Sequence, residues 1–168
     1  MKTSYIVRAK KFINTIFPYI YSCHNSVAMV RRIINNYNMD HRRNIIVCHG
    51  ATRIVLVTSD YVIKWDYDEY NVNKYGGCAR EYDVYSLACN EGYEYLLAEC
   101  TSIEKEDMIF NIMPRYNMRE DEYKPYFEEV LNDDECKWLE ENIGDLHDNN
   151  YTIVNGTIII IDYACPKI

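Results

Sequence analysis

The apolar positions of this chain change period along its length, and the changes mark out its elements. Ile6, Ile13, Ile16, Phe17 and Ile20 fall on one helical face, and Pro18 breaks or ends that segment. Val27, Val30, Ile34 and Tyr37 make a second helical stripe, opened by Asn25-Ser26 as a cap. Both read as amphipathic packing helices with no membrane role. The period then shortens. Residues 44–49, 53–58 and 61–65 read as strands around the turns Gly50-Ala51-Thr52 and Ser59-Asp60, which predicts an antiparallel meander. Residues 66–74 are polar and read as a loop closed by Gly76-Gly77. A helix over 78–89 follows, ended by Asn90-Glu91-Gly92. Residues 93–100 and 107–113 predict two more strands about a polar turn, Glu104-Lys105-Glu106, with Pro114 stopping the second. Two short helices come next, over 120–131 and 133–142, and Asn132 with Glu135 has the spacing of a capping box. Residues 151–154 and 157–161 flank Asn155-Gly156, the strongest two-residue hairpin signal, and the second strand delivers Asp162 at its tip.

Composition adds bounds to this picture. The 168 residues carry 48% hydrophobic and 26% charged side chains, enough for one domain of two small lobes with a real core. The net charge of -8 is spread along the chain, which argues against binding nucleic acid by general electrostatics. Two local basic clusters, Arg31-Arg32 and His41-Arg42-Arg43, read as mixed surface charge. The seven cysteines are scattered, with no Cys-x-x-Cys pair, as in a reducing compartment. Lys10-Lys11 interrupt the apolar N-terminus, so neither a signal peptide nor a membrane span is expected, and the expected location is the cytoplasm.

Phosphoryl transfer from ATP needs a cation on the phosphates, hard oxygen ligands for metal ions, and a carboxylate at the acceptor hydroxyl. Lys64 lies in the third strand and points away from the face of Ile63 and Trp65. Glu81 lies one turn into the next helix. Read singly, these are an exposed strand lysine and a surface glutamate. The tail is more specific. Asp145 and Asn150 stand five apart in Gly144-Asp145-Leu146-His147-Asp148-Asn149-Asn150, between a helix and the hairpin that ends in Asp162.

This order of elements and residues resembles the protein-kinase-like fold over residues 44 to 164. Gly144–Asn150 with Ile160-Ile161-Asp162-Tyr163-Ala164 is similar to the catalytic loop and metal motif of aminoglycoside-phosphotransferase-type and small bacterial or viral kinase-like proteins. The resemblance implies an α+β chain. Residues 1–42 would be an added pair of helices. Residues 43–116 would be an upper lobe with an antiparallel five-stranded sheet and one glutamate-bearing helix. Residues 117–168 would be a much reduced lower lobe. It implies that Gly50 marks the phosphate-covering turn, and that Lys64 pairs with the α- and β-phosphates and with Glu81. Met113, Arg115 and Tyr116 belong to the hinge that meets adenine. Asp145 becomes the catalytic base, and Asn150 and Asp162 the ligands of Mg2+. His147 is given a structural part.

The chain departs from that pattern in four places. Ile143 stands where kinases usually carry histidine. Tyr163-Ala164 follows Asp162 in place of Phe-Gly, which reduces backbone freedom. The phosphate-covering turn has one glycine. Only six residues follow Asp162, so no activation segment or substrate-binding helices are expected. The implied function is an ATP- and Mg2+-dependent phosphotransferase acting on protein Ser, Thr or Tyr, or on itself. The alternatives are a pseudokinase-like regulatory module without turnover, or an unrelated α+β interaction protein of phage type. A viral origin would place it in the host cytoplasm. Phe127, Val130, Leu131, Trp138, Leu139 and Ile143 form the apolar stripe of the tail. Ile158 to Ile161 give the terminal strand two apolar faces, one of which needs a cover. The expectation favours a second copy of the chain, as a homo-dimer, or a protein partner over the N-terminal helices.

Overall fold

The computed structural model describes residues 2–50, 52–67, 77–116, 126–144, 146–147 and 150–163, with residues 2 and 3 described in their backbone alone. The described residues form an α+β structure that divides into two units: Met1–Cys78 with Thr101–Arg115, and Ala79–Cys100 with Tyr116–Ile168.

The first unit opens with helices α1 (Lys2–Ile20) and α2 (Val27–His41). Ile13, Ile16, Phe17, Ile20, Val30 and Ile34 are buried, as their spacing predicts. Pro18 does not break α1; it sits in the last turn, and the chain continues to Ile20 before tightening into a 3-10 turn at Tyr21–Cys23. A proline removes one backbone donor, and this close to the helix end little ladder is left to lose. The Ser26 hydroxyl caps α2 by accepting the Met29 N–H at 3.4 Å. At the other end Asn38 acts as a clamp on the chain that leaves the helix. Its side chain donates to the Ile45 carbonyl at 2.9 Å and accepts the Ile45 N–H at 3.1 Å.

Five antiparallel strands follow: β1 (Ile46–His49), β2 (Arg53–Val57), β3 (Tyr61–Asp66), β4 (Thr101–Lys105) and β5 (Met108–Pro114), in the spatial order β1-β2-β3-β5-β4. The meander is as predicted, but the fourth strand is not residues 93–100. That stretch forms a 3-10 turn at Glu94–Leu96, and Leu96, Leu97, Ala98 and Cys100 are all buried. Glu94 and Tyr95 are exposed while residues 96–98 are buried in succession, so the stretch lacks the in-out alternation of a strand. The strand is the polar segment after it, whose Glu104 and Lys105 suit a sheet edge. The turn moves accordingly to Glu106-Asp107, with Glu106 at φ 54°.

The sheet has two unlike faces. Ile54, Leu56, Tyr61, Ile63, Trp65, Phe110 and Ile112 pack with the buried residues of α1 and α2, and each such side chain contributes roughly 1.5–3 kcal/mol. The Trp65 indole N–H donates to the His24 carbonyl at 3.1 Å, and the Lys105 ammonium reaches the Asn14 side chain at 2.7 Å. The opposite face is mixed, with a buried polar group beside Val55, Val62 and Met113. Arg53 faces Asp66, and Lys64 faces Asn111, as directly paired residues that share a face. All four are buried.

Asp66 does not belong to the loop expected over 66–74. Asp66 is the last residue of β3 and is 2% exposed, while residues 68–76 lie outside the described residues. The Asp66 carboxylate accepts the Cys78 N–H at 2.9 Å, and the Asn111 side-chain amide donates to the Cys78 carbonyl at 2.8 Å. Cys78 belongs to the first turn of α3 (Gly77–Glu91), where backbone N–H groups lack helical partners and a negative charge is favoured.

In the second unit, α4 (Phe127–Val130) is a single turn where a longer helix is predicted. The Leu131 N–H closes it on Phe127, and residues 117–125 lie outside the described residues. Helix α5 (Asp133–Asn142) is as predicted, with the full capping box between Asn132 and Glu135. The hairpin β6 (Tyr151–Val154) and β7 (Thr157–Ile160) turns on Asn155 and Gly156, both with positive φ (53° and 81°). Ile158 and Ile160 are fully buried, and their cover comes from the same unit. Leu97 forms a bridge with Ile160, the Ala98 N–H donates to the Ile160 carbonyl at 2.8 Å, and the Phe127 ring packs tilted against Tyr151 at 4.6 Å. Ile159 and Ile161, on the other face of the strand, are half-buried. The N-terminal helices pack on the sheet.

Removing the buried acceptor at Asp66 tests the polar group. Asp66→Ala should lower stability by about 2–3 kcal/mol in urea unfolding at neutral pH, because the Cys78 amide loses a charged partner. A loss below about 0.5 kcal/mol, as at an ordinary surface position, would show that this bond holds nothing in place.

Candidate functional site

Four of the residues that the kinase resemblance implies lie in the first unit. Lys64 sits in the central strand and is 7% exposed, so it is not the exposed strand lysine that its sequence context alone suggests. A buried ammonium must be compensated. Gly50 is exposed at the β1–β2 turn, where its N–H donates to the Arg53 carbonyl at 3.0 Å. A Cβ built there meets nothing within 4 Å, so the fold leaves open space beside that backbone and does not itself require glycine. Met113 is buried in β5 opposite Val62. Arg115 follows the strand and is exposed. Its N–H donates to the Asp60 carbonyl at 3.1 Å and its guanidinium to the Thr58 carbonyl at 2.8 Å, so it is tied to the β2–β3 turn.

The glycine that the structure does require is Gly77. A Cβ there would lie 2.9 Å from an Asp66 carboxylate oxygen and 3.2 Å from Arg53 Cδ. Asp66, Asn111 and Gly77 form one device, which sequence reading missed. The signal available was an aspartate ending an apolar strand, with a glycine pair before the next helix.

The remaining residues lie in the second unit. Glu81 is fully buried in α3 and is not the surface glutamate that its context suggests. Tyr116 is half-buried, and burial with the Glu99 charge raises its pKa. Asp145 lies outside the described residues. Asn150 and Asp162 are brought together. The Asn150 carbonyl accepts the Ile161 N–H at 2.7 Å and the Asp162 N–H at 3.3 Å, closing the open end of the β6–β7 hairpin. The Asn150 N–H donates in turn to the His147 carbonyl at 2.8 Å, consistent with a structural part for this stretch. Both side chains are half-buried.

Tyr163, next to Asp162, fixes the other side. It is fully buried and its hydroxyl donates to the Ala98 carbonyl at 2.8 Å. Ala98 therefore holds the chain at Ile160 through its N–H and at Tyr163 through its carbonyl, bracketing Asp162. Among the described residues no group of three or more His, Cys, Asp or Glu side chains gathers as a ready metal cage. The site offers an amide and a carboxylate at the mouth of a pinned hairpin. No protein-family model, curated protein or solved structure matches this chain.

Burial, with smaller contributions from the neighbouring Cys100 and Glu81 charges, pushes the Tyr163 hydroxyl well above its usual range. Unfolded tyrosine ionises near pH ~10, so above that pH the unfolded chain sheds a proton that the folded chain keeps. The stabilisation is complete below about pH 10 and is lost as pH rises beyond it. Tyr61, pushed to about 12 chiefly by burial and then by the Asp60 charge, acts in the same direction. Tyr163→Phe should cost about 1 kcal/mol at neutral pH and make the alkaline fall in stability shallower. Urea midpoints measured across that range check both. An unchanged alkaline slope would mean that Tyr163 ionises as readily folded as unfolded.

Proposed function

We propose that the chain is an ATP- and Mg2+-dependent phosphotransferase of minimal protein-kinase type, with a protein hydroxyl or the chain itself as acceptor. The observation that carries the reading is the backbone tether of Asn150 to Asp162 at the mouth of the terminal hairpin, which supports a shared site for the two residues. Two further observations support it. Lys64 and Glu81, whose side chains would ordinarily be solvated, are both buried. The described elements also keep the kinase-like order of lysine strand, glutamate helix, two strands, short helices, loop and hairpin.

On this reading Lys64 carries the charge that meets the nucleotide phosphates, and the open space beside Gly50 admits their close approach. Glu81 takes the part that the resemblance gives it. The donor set of Asn150 and Asp162, one amide oxygen and one carboxylate, fits Mg2+, which prefers hard oxygen ligands and keeps several waters. Bound there, the ion supplies charge neutralisation to the transferring phosphate. The chain's own contribution is positional. The bonds from Ala98 and Asn150 hold the backbone on both sides of Asp162, which limits where its carboxylate can reach. Asp145 accepts the proton of the acceptor hydroxyl.

A nucleotide at a hundredfold excess over its dissociation constant stabilises a protein by about 2.7 kcal/mol, which a thermal scan resolves. Millimolar ATP with Mg2+ should raise the melting temperature, Lys64→Ala should abolish the rise, and Asp162→Asn should remove its dependence on Mg2+. Asp145→Asn should keep the rise and lose transfer of radiolabel from ATP. Absence of any shift in the unmodified protein would defeat the nucleotide reading. A shift without label transfer would leave the pseudokinase-like binding module as the function.

A further inference from the structure

The chain carries a net charge of -8, yet one cleft of the first unit is lined by five cationic side chains: Arg8, Lys11, Arg42, Arg43 and Arg115, with His41 beside them. It has a volume of about 780 Å³ and lies among α1, the end of α2, the β2–β3 turn and the residue after β5. Among the described residues Asp60 is the single carboxylate on its wall, and it is committed to Arg8. Burial opposes ionisation of that carboxyl, and the hydrogen bonds from Arg8 and Ser59 with the Arg8 charge outweigh it, so its pKa falls below the ordinary value. Among the described residues no carboxylate pairs with Lys11, Arg42 or Arg43.

The walls are built to hold these charges where they are. Asn38 receives the N–H of Arg43 on its carbonyl at 3.0 Å and grips Ile45 from both sides, so residues 42–45 cannot drift from the helix end. Arg42 sits in the left-handed region, φ 50° and ψ 48°, a conformation that suits glycine or asparagine and strains arginine. A strained backbone position that keeps a long cationic side chain is a mark of use. Arg115 is fixed by two bonds to the β2–β3 turn. The floor is apolar and aromatic, with Phe12, Ile45 and Tyr61 buried and the Tyr37 ring stacked on His41 at 4.1 Å.

We propose that this cleft binds a small organic molecule carrying more than one phosphate group, with its phosphates on Lys11, Arg42, Arg43 and Arg115 and its carbon skeleton on the aromatic floor. Arginine suits phosphate because its planar fork donates two parallel bonds. The volume lies within the roughly 300–1,000 Å³ of small-ligand sites. An extended nucleic acid would leave the cleft and meet a surface that is negative on balance. Lys64 does not line the cleft, which shares only Arg115 with the site residues that the kinase resemblance implies.

Inorganic tripolyphosphate, without Mg2+, is the probe for the phosphate half of the site. Calorimetry at physiological salt should show saturable one-to-one binding that is unchanged in Lys64→Ala. The double variant Arg42→Gly with Arg43→Gln removes two charges and relieves the left-handed strain, so it should fold at least as well as the original. It should bind tripolyphosphate at least tenfold more weakly. No saturable binding, equal binding by the double variant, or loss of binding in Lys64→Ala would each overturn the proposal. So would an oligouridylate that binds tighter than tripolyphosphate, since it would make the cleft part of a nucleic-acid surface.

Discussion

The Cys78 peptide is gripped from both sides, its N–H by the Asp66 carboxylate and its carbonyl by the Asn111 amide. Much of the first unit depends on this pair of bonds. Buried polar groups are tolerated only when they are satisfied, so Asp66 and Asn111 can occupy the mixed face of the sheet only with the start of α3 held against them. That in turn requires a residue without a Cβ at position 77. Lys64 lies on the same face, directly opposite Asn111. The other face carries the apolar layer that α1 and α2 cover. One sheet therefore separates a hydrophobic core, which supplies stability, from a buried polar group, which supplies position.

A comparable logic holds the tail of the second unit. The hairpin turn at Asn155-Gly156 sets the register of two four-residue strands, and bonds from Ala98 and Asn150 tie down the chain from Ile160 to Asp162. A two-stranded hairpin alone is marginal in water. Its burial against residues 94–98 and α4, with the Tyr163 hydroxyl bond, makes the Asp162 position part of the folded unit.

Elements governed by local chemistry were legible in the sequence. The Asn132–Glu135 capping box, the Asn155-Gly156 turn and the three-strand meander each depend on a few neighbouring residues, and each is found as expected. Elements decided by tertiary burial were not. Residues 93–100 have strand-forming composition but do not alternate, with 94–95 exposed and 96–98 buried, while the polar Thr101–Lys105 is a strand because β5 pairs with it. Of the candidate site, residue types and order were legible, and the backbones of Asn150 and Asp162 are bonded. The burial of Lys64 and Glu81, the part of Gly77 and the bond from Tyr163 to Ala98 depend on partners distant in sequence. So does the basic cleft: Arg42 and Arg43 read as mixed surface charge until Arg8, Lys11 and Arg115 arrive from other elements.

The proposed activity requires Lys64 to lie beside the phosphates of a bound nucleotide. An acyl phosphate derived from ATP transfers its acyl group to a lysine held next to those phosphates, and peptide mass spectrometry then reports which lysine was modified. The predicted result is acylation of Lys64, buried though it is, suppressed by excess ATP with Mg2+ and absent after Lys64→Arg. Acylation spread over the exposed lysines, with Lys64 untouched and no protection by ATP, would contradict it.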